Sequence, residues 1–310
     1  MKEINTKVNT KINTKVNICG VEFKNPVIAA SGTFGFGREY EAFYDVSVLG
    51  GISTKGLTLQ RREGNDPPRI AETPSGILNS VGLQNPGVDA FIERDLPWLR
   101  SKNTVVIANV AGSTVQDYRE SARRLSDARV DMIELNISCP NVKQGGIAFG
   151  VYPDTIAEIV SAVRKAAGVP LMVKLSPNAA DIAANALAAE GAGADCISLI
   201  NTLGGMAVDI YARKPVLANV YGGLSGPAVK PVALKMCHQV CKAVKIPVIG
   251  MGGIASPTDI LEFMMAGASA VMVGTQNIRD PMAGQTLVNG LTNLMCACKI
   301  MDVSEIIGII

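Results

Sequence analysis

Charge imbalance is the first thing the sequence lacks: 29 basic residues against 27 acidic ones leave a formal +2 over 310 residues. That excludes the electrostatic footprint by which nucleic acid or an anionic membrane is bound, and makes a small molecule the expected partner. No apolar run approaches the roughly 18–20 residues that span a bilayer. The N-terminus has no hydrophobic stretch of the signal-peptide kind, so a soluble, cytoplasmic chain with no membrane partner is expected. Cysteine is present but unpatterned. Seven residues, an odd number with no C-x-x-C pair, suit neither a disulfide framework nor a zinc site. Cys237 and Cys241 on an expected helix, and Cys296 and Cys298 around Ala297, have no further ligands nearby and read as ordinary thiols. The single histidine, His238, falls in mid-helix and is expected to be structural. No metal site is expected.

What is present is apolar mass, 48% of the residues, enough for two ordinary domains or one large α/β barrel. The chain opens on a four-residue repeat, Asn5-Thr6-Lys7-Val8 through Asn13-Thr14-Lys15-Val16. Four is twice the strand period, so an extended strand would set Thr and Val/Ile on one face and Asn and Lys on the other. Residues 1–24 are accordingly expected to form a strand or hairpin, or a partly disordered extension, outside the main fold. From Asn25 onward eight short aliphatic runs recur: Val27–Ala30, Val48–Ser53, Val105–Ala108, Met132–Leu135, Leu171–Val173, Cys196–Ile200, Val248–Gly250 and Ala270–Val273. They do not alternate, as befits parallel strands covered on both faces. Helical stretches lie between most of them, at Asp117–Ala128, Pro153–Ala167, Asp181–Glu190, Val229–Val244 and Pro257–Ala266.

Eight strands in βα alternation predict a (β/α)8 TIM barrel over residues 25–310, with a doubly wound sheet as the alternative. Polar or glycine residues follow the strands at Ser31, Thr54-Lys55, Asn109, Asn136, Lys174, Asn201-Thr202, Gly252-Gly253 and Gly274-Thr275. A barrel would gather all of these on its C-terminal rim, whereas a doubly wound sheet would spread them along a crevice.

The paired glycine signals after the seventh and eighth strands, Gly252-Gly253 and Gly274-Thr275, suit a phosphate cradled by backbone amides. In Glu134-Leu135-Asn136-Ile137-Ser138-Cys139-Pro140-Asn141 a thiol sits in a rim loop, where Cys139 is a candidate base or nucleophile. Lys55 and Lys174 close strands two and five. Burying either ammonium requires an anionic ligand or a carboxylate partner.

These segments, with Ala30-Ser31-Gly32-Thr33-Phe34-Gly35-Phe36-Gly37, Asn79-Ser80-Val81-Gly82-Leu83-Gln84-Asn85-Pro86-Gly87 and Gly222-Gly223-Leu224-Ser225-Gly226-Pro227-Ala228, resemble the dihydroorotate dehydrogenases, specifically the soluble class 1B catalytic subunit. The resemblance runs from about Asn25 to the C-terminus. It implies an oxidoreductase of pyrimidine biosynthesis, a flavoprotein that oxidises dihydroorotate to orotate. FMN would be held by Ser31, Lys55, Gly56, Asn109, Asn136, Lys174, Ile200 and Gly226, with its phosphate on Gly252, Gly253, Gly274 and Thr275. Substrate would meet Lys55, Asn79, Ser80, Val81, Gly82, Leu83, Asn136, Asn201 and Thr202. Cys139 falls at the family's catalytic base, taking the C5 proton while the C6 hydride passes to the flavin, and Lys174 would stabilise the charge that builds on the reduced ring.

Cysteine at the base position departs from the membrane-associated class, which uses serine, and Lys143-Gln144-Gly145-Gly146 resembles class 1B. That class passes electrons to NAD through a second subunit carrying FAD and a [2Fe-2S] cluster. This chain has no cluster-spaced cysteines and no dinucleotide fingerprint after a strand, so FMN alone is expected on it. The implied assembly is a homodimer of catalytic subunits within a heterotetramer. The glycine-rich Lys143–Gly150 stretch is a candidate lid. The rival readings are a fumarate-using class 1A enzyme, a dihydropyrimidine-type FMN barrel, and a phosphate-binding barrel without redox activity.

Overall fold

The computed structural model describes residues 12–138 and 150–310. Its strands, in chain order, begin with β1 (Val16–Ile18), β2 (Val21–Phe23), β3 (Val27–Ala29), β4 (Gly51–Ser53), β5 (Ile70–Thr73), β6 (Gly76–Asn79), β7 (Val105–Val110) and β8 (Met132–Asn136). They continue with β9 (Leu171–Lys174), β10 (Cys196–Leu199), β11 (Leu203–Met206), β12 (Val208–Asp209), β13 (Lys214–Pro215), β14 (Tyr221–Ser225), β15 (Val248–Met251) and β16 (Ala270–Val273).

The eight aliphatic runs become β3, β4, β7, β8, β9, β10, β15 and β16, which pair in parallel and close into one barrel in the order β10-β15-β16-β3-β4-β7-β8-β9. Every residue of these strands is buried, the condition that removes polar alternation from a strand. The (β/α)8 expectation holds and the doubly wound alternative falls, because a closed sheet has no edge. Strand bounds move by a residue or two, with one informative exception. Val46–Val48 winds into a 3-10 turn, its start held by the Asp45 side chain accepting from Ser47 N, so the second barrel strand begins only at Gly51.

The described helices are α1 (Val88–Ala90), which runs through a π turn (Phe91–Asp95) into α2 (Leu96–Arg100), then α3 (Val115–Asp127), α4 (Pro153–Arg164), α5 (Ile182–Gly191), α6 (Lys230–Ala243), α7 (Pro257–Met265), α8 (Thr275–Arg279) and α9 (Ala283–Ala297). The five expected helices are α3 to α7. Their starts are written locally. Thr114 and Asp117 form a reciprocal capping box at α3, Ser256 and Asp259 another at α7, and Asp181 caps α5, each satisfying amides that have no intrahelical partner. His238 lies on α6 with Nδ1 3.3 Å from Ala266 O, a structural placement.

Two additions frame the barrel. The antiparallel hairpin β1-β2 begins at Val16, the last residue of the Asn-Thr-Lys repeat, whose first residues lie outside the described chain. Ile18 and Phe23 are fully buried in the common core, and the Phe23 ring lies against Gly51 at the start of β4. The hairpin therefore plugs the N-terminal end. At the opposite end β11, β14, β6 and β5 form a four-stranded antiparallel sheet that the aliphatic pattern did not reveal. Its central strand β14 carries Gly222 and Gly223 where a side chain has no room: a Cβ on Gly222 would lie 2.8 Å from Asn79 O, and one on Gly223 1.9 Å from Thr202 Oγ1.

Candidate active site

The C-terminal rim and the antiparallel sheet enclose a cavity of about 1250 Å³, open mouth included. It is lined from the barrel by Ser31, Lys55, Gly56, Asn136, Lys174 and Ile200, and by Asn201 and Thr202 just beyond β10. The sheet contributes Asn79 with the following Val81, Gly82 and Leu83, together with Gly226 after β14. Gly252, Gly253, Gly274 and Thr275 line its far wall. Residues spread over more than 240 positions of sequence are thus brought together because parallel strands all end on one face.

Two expected residues stand elsewhere. Ser80 is fully buried and does not line the cavity. Strand alternation turns it away between Asn79 and Val81, and its Oγ has no hydrogen-bond partner among the described residues. Asn109 is fully buried one layer below the rim. Cys139, Pro140, Asn141 and the Lys143–Phe149 part of the candidate lid lie outside the described residues.

The glycine wall is built to let backbone approach a ligand. Gly253 has φ +75°, and a Cβ there would lie 2.8 Å from both Gly226 O and Lys230 N. Gly252 has φ +127°, and its Cβ would lie 2.6 Å from Ala233 Cβ. Any side chain would displace main chain or the start of α6, so the turn stays bare. The loop is pinned from behind: Lys230 Nζ donates to Asp259 Oδ1 at 2.6 Å and to Glu262 Oε2 at 2.9 Å, while Asp259 Oδ2 accepts from Ala255 N at 2.9 Å and Ser256 N at 2.8 Å. Burial alone would push the Asp259 carboxyl up. The Lys230 ammonium, the two amides and the Ser256 hydroxyl outweigh it and hold the group below its ordinary value. The same two carboxylates raise Lys230. Thr275 Oγ1 donates to Ser225 Oγ at 2.8 Å, tying the eighth-strand loop to β14; Ser225 lines the cavity too and carries no sequence signal beyond its glycine-rich setting.

Lys174 reaches the cavity with only 4% of its surface exposed. Among the described residues no carboxylate lies within ion-pair distance of it. Of the two partners a buried ammonium admits, anionic ligand or carboxylate, the described residues supply no carboxylate, and the cavity offers room for the ligand. Beside it stands an amide array. Asn136 Nδ2 lies 3.4 Å from Asn109 Oδ1, Asn136 Oδ1 accepts from Ser138 Oγ at 3.1 Å, and Asn201 Nδ2 donates to Ser138 Oγ at 2.8 Å. Tyr118 OH donates to Asn136 O at 2.9 Å and fixes the strand end that carries the array. Met251, Met272, Ile254 and Val229 supply apolar walls. Bare glycine turns, an ammonium with no carboxylate in ion-pair range among the described residues, an amide array and thioether walls together fit a flat, polar-edged ring system joined to a phosphate.

Sequence reasoning left one further residue unassigned. Glu134 is fully buried inside the barrel and accepts from Ser53, Asn109 and Ser198. A charged residue in the otherwise aliphatic Met132–Leu135 run was the available signal.

Comparison with known proteins finds relatives over nearly the whole chain. The family model described as "Dihydroorotate dehydrogenase" matches residues 13–295. A protein of Alkaliphilus metalliredigens named dihydroorotate dehydrogenase B (NAD(+)), catalytic subunit, is 57% identical over 308 residues, 99% of each chain. Proteins of the same name from Alkaliphilus oremlandii, 56% identical over 94% of this chain and 96% of the relative, and Geobacillus kaustophilus, 55% identical over 93% of each, extend the match.

Proposed function

The chain belongs to the dihydroorotate dehydrogenase family, and from that premise we propose that the rim cavity is an FMN site at which dihydroorotate is oxidised to orotate, a step of pyrimidine biosynthesis. The protein is an NAD-linked, class 1B oxidoreductase catalytic subunit. The NAD(+)-linked names of its relatives do not favour the fumarate-using reading or the other FMN barrels. The observation that carries the assignment of the site is Lys174: a buried ammonium, with no carboxylate in ion-pair range among the described residues, sharing one cavity with the glycine turns.

In this reading Gly252, Gly253, Gly274 and Thr275 hold the phosphate, and Ser31, Lys55, Gly56, Asn136, Ile200 and Gly226 hold the rest of the cofactor, with Asn109 supporting them from below. Bound FMN supplies a two-electron acceptor. Lys174 supplies fixed positive charge in a site screened from water, where it counts most against charge gained during reduction. Asn79, Asn136, Asn201 and Thr202, with the main chain from Ser80 to Leu83, orient a small amide-rich ring. Lys55 pairs with its carboxylate by charge-assisted hydrogen bonding. Cys139, three residues past Asn136, is the base for the C5 proton.

"Catalytic subunit" in the relatives' names implies a second subunit. We assign to it the FAD and [2Fe-2S] centre that carry electrons to NAD, in a heterotetramer built on a homodimer of this chain. Residues 1–24 are taken as an extension and 25–310 as the catalytic domain. Among the described residues no helix is long and apolar enough to cross a membrane; a cytoplasmic location is proposed from the unpatterned, odd cysteine count.

The test is the visible spectrum of the purified chain before and after anaerobic addition of dihydroorotate. A bound flavin that bleaches is the expected result. A flavin that stays oxidised would overturn the substrate, and a colourless protein the cofactor.

A further inference from the structure

Glu134 lies on β8 two residues before Asn136, outside the cavity and beneath it. Its Oε1 accepts from Ser198 Oγ at 2.7 Å, and its Oε2 from Ser53 Oγ at 2.7 Å and Asn109 Nδ2 at 2.6 Å. Those donors come from β10, β4 and β7. Strands β4 and β10 are not neighbours of β8, so the carboxylate projects into the barrel interior. No cation lies within ion-pair distance among the described residues. Burying a carboxylate against neutral donors alone is an expensive way to fill a barrel, and an aliphatic side chain of that volume would serve the fold at least as well.

What the carboxylate does that an aliphatic group cannot is set direction. It offers only acceptors, so the Asn109 amide meets it with its NH2. The Asn109 oxygen is thereby turned toward Asn136, whose Nδ2 lies 3.4 Å away. With its NH2 so engaged, Asn136 presents Oδ1 to the Ser138 hydroxyl at 3.1 Å. Ser138 Oγ in turn accepts from Asn201 Nδ2 at 2.8 Å, and Asn201 Oδ1 accepts from Thr202 N at 2.8 Å. Asn136, Asn201 and Thr202 line the cavity. The serine hydroxyls of Ser53 and Ser198 rotate freely and impose no direction. Asn109 is the contact through which polarity passes.

We infer that Glu134 is a positioning residue that orients the relay Asn109–Asn136–Ser138–Asn201, and so decides which donors and acceptors face the substrate ring. The inference rests on the reading of this cavity as the orotate site. Glu134→Gln is nearly isosteric, keeps an acceptor for the serines, and releases the Asn109 amide to turn over. In the pair Glu134→Gln with Asn109→Asp, the introduced glutamine amide donates to the introduced carboxylate, whose second oxygen again accepts from Asn136.

The measurement is orotate affinity of the flavin-loaded protein, read from the perturbation of the flavin's visible bands on titration, with flavin content and thermal midpoint recorded alongside. For Glu134→Gln the expected result is full flavin content, a midpoint within a few degrees of wild type, and orotate bound roughly ten- to a hundredfold more weakly, the range of one or two misdirected buried hydrogen bonds. Most of that loss should return in the double variant. Unchanged affinity in Glu134→Gln, a loss that the second substitution does not restore, or failure of both variants to form folded flavoprotein would overturn the inference. Wild-type protein that does not bind orotate would overturn the reading of the cavity instead, and is distinguished by being the first titration.

Discussion

At the scale of single residues the site is made of side chains that cost stability where they stand. Lys174 is buried without a carboxylate in ion-pair range among the described residues, an arrangement that favours function over folding. Lys174→Met keeps the stem and removes the ammonium. The expected outcome is a thermal midpoint unchanged or raised, while anaerobic reduction of the flavin by dihydroorotate slows by about 10²–10³-fold, as for loss of a preorganised electrostatic group. A lowered midpoint with unaltered reduction would assign Lys174 to the fold. Most of the rim residues were legible because each follows an aliphatic run that can only be a buried strand: Lys174 after Val173, Asn136 after Leu135, Ser31 after Ala30. Ser80 and Asn109 show the limit. Adjacency to a strand end says that a residue is near the rim, but whether its side chain faces the cavity depends on strand alternation and barrel tilt.

At the scale of elements, the glycine turn after β15 is held by the start of α7 and the Lys230–Asp259 pair. The Asp259 carboxyl is held below its ordinary value in the folded chain. Its contribution is therefore complete above the ordinary carboxylate range and disappears as pH falls through the folded value. Asp259→Asn is expected to lower the thermal midpoint at pH 7 by roughly 3–6 °C, one charged hydrogen-bond set at a few degrees per kcal/mol. The gap to wild type should narrow below about pH 4. Thermal scans between pH 7 and 3 check this, and a gap constant across that range would contradict it. Release of flavin should quicken in the same variant. The helix at Pro257–Ala266 was readable in sequence, whereas the relation of Lys230 to Asp259, 29 positions later, was not. The antiparallel sheet over the rim was not readable at all. Gly222 and Gly223 leave no alternating pattern, since the close approach of Asn79 O and of the Thr202 side chain, rather than side-chain burial, puts them there.

At the scale of the whole molecule the two ends of the barrel divide the labour. The N-terminal end is plugged by Ile18 and Phe23 of the β1-β2 hairpin, and the C-terminal end is left open as the cavity. Phe23→Ala is expected to cost about 3–5 kcal/mol, seen as a midpoint lower by on the order of 10 °C, with orotate affinity within about twofold of wild type. A variant that binds orotate much more weakly would show the two ends to be coupled.

By itself the sequence determined the barrel, its eight strands, the five principal helices and the phosphate-suited turns, because burial on both faces, helix caps and bare glycines are local demands written where they act. The tertiary structure alone decided which rim residues face one cavity, that Lys230 braces the turn from α6, and that Glu134 stands beneath the asparagines. Those relations join residues tens of positions apart through barrel closure, which no local pattern encodes.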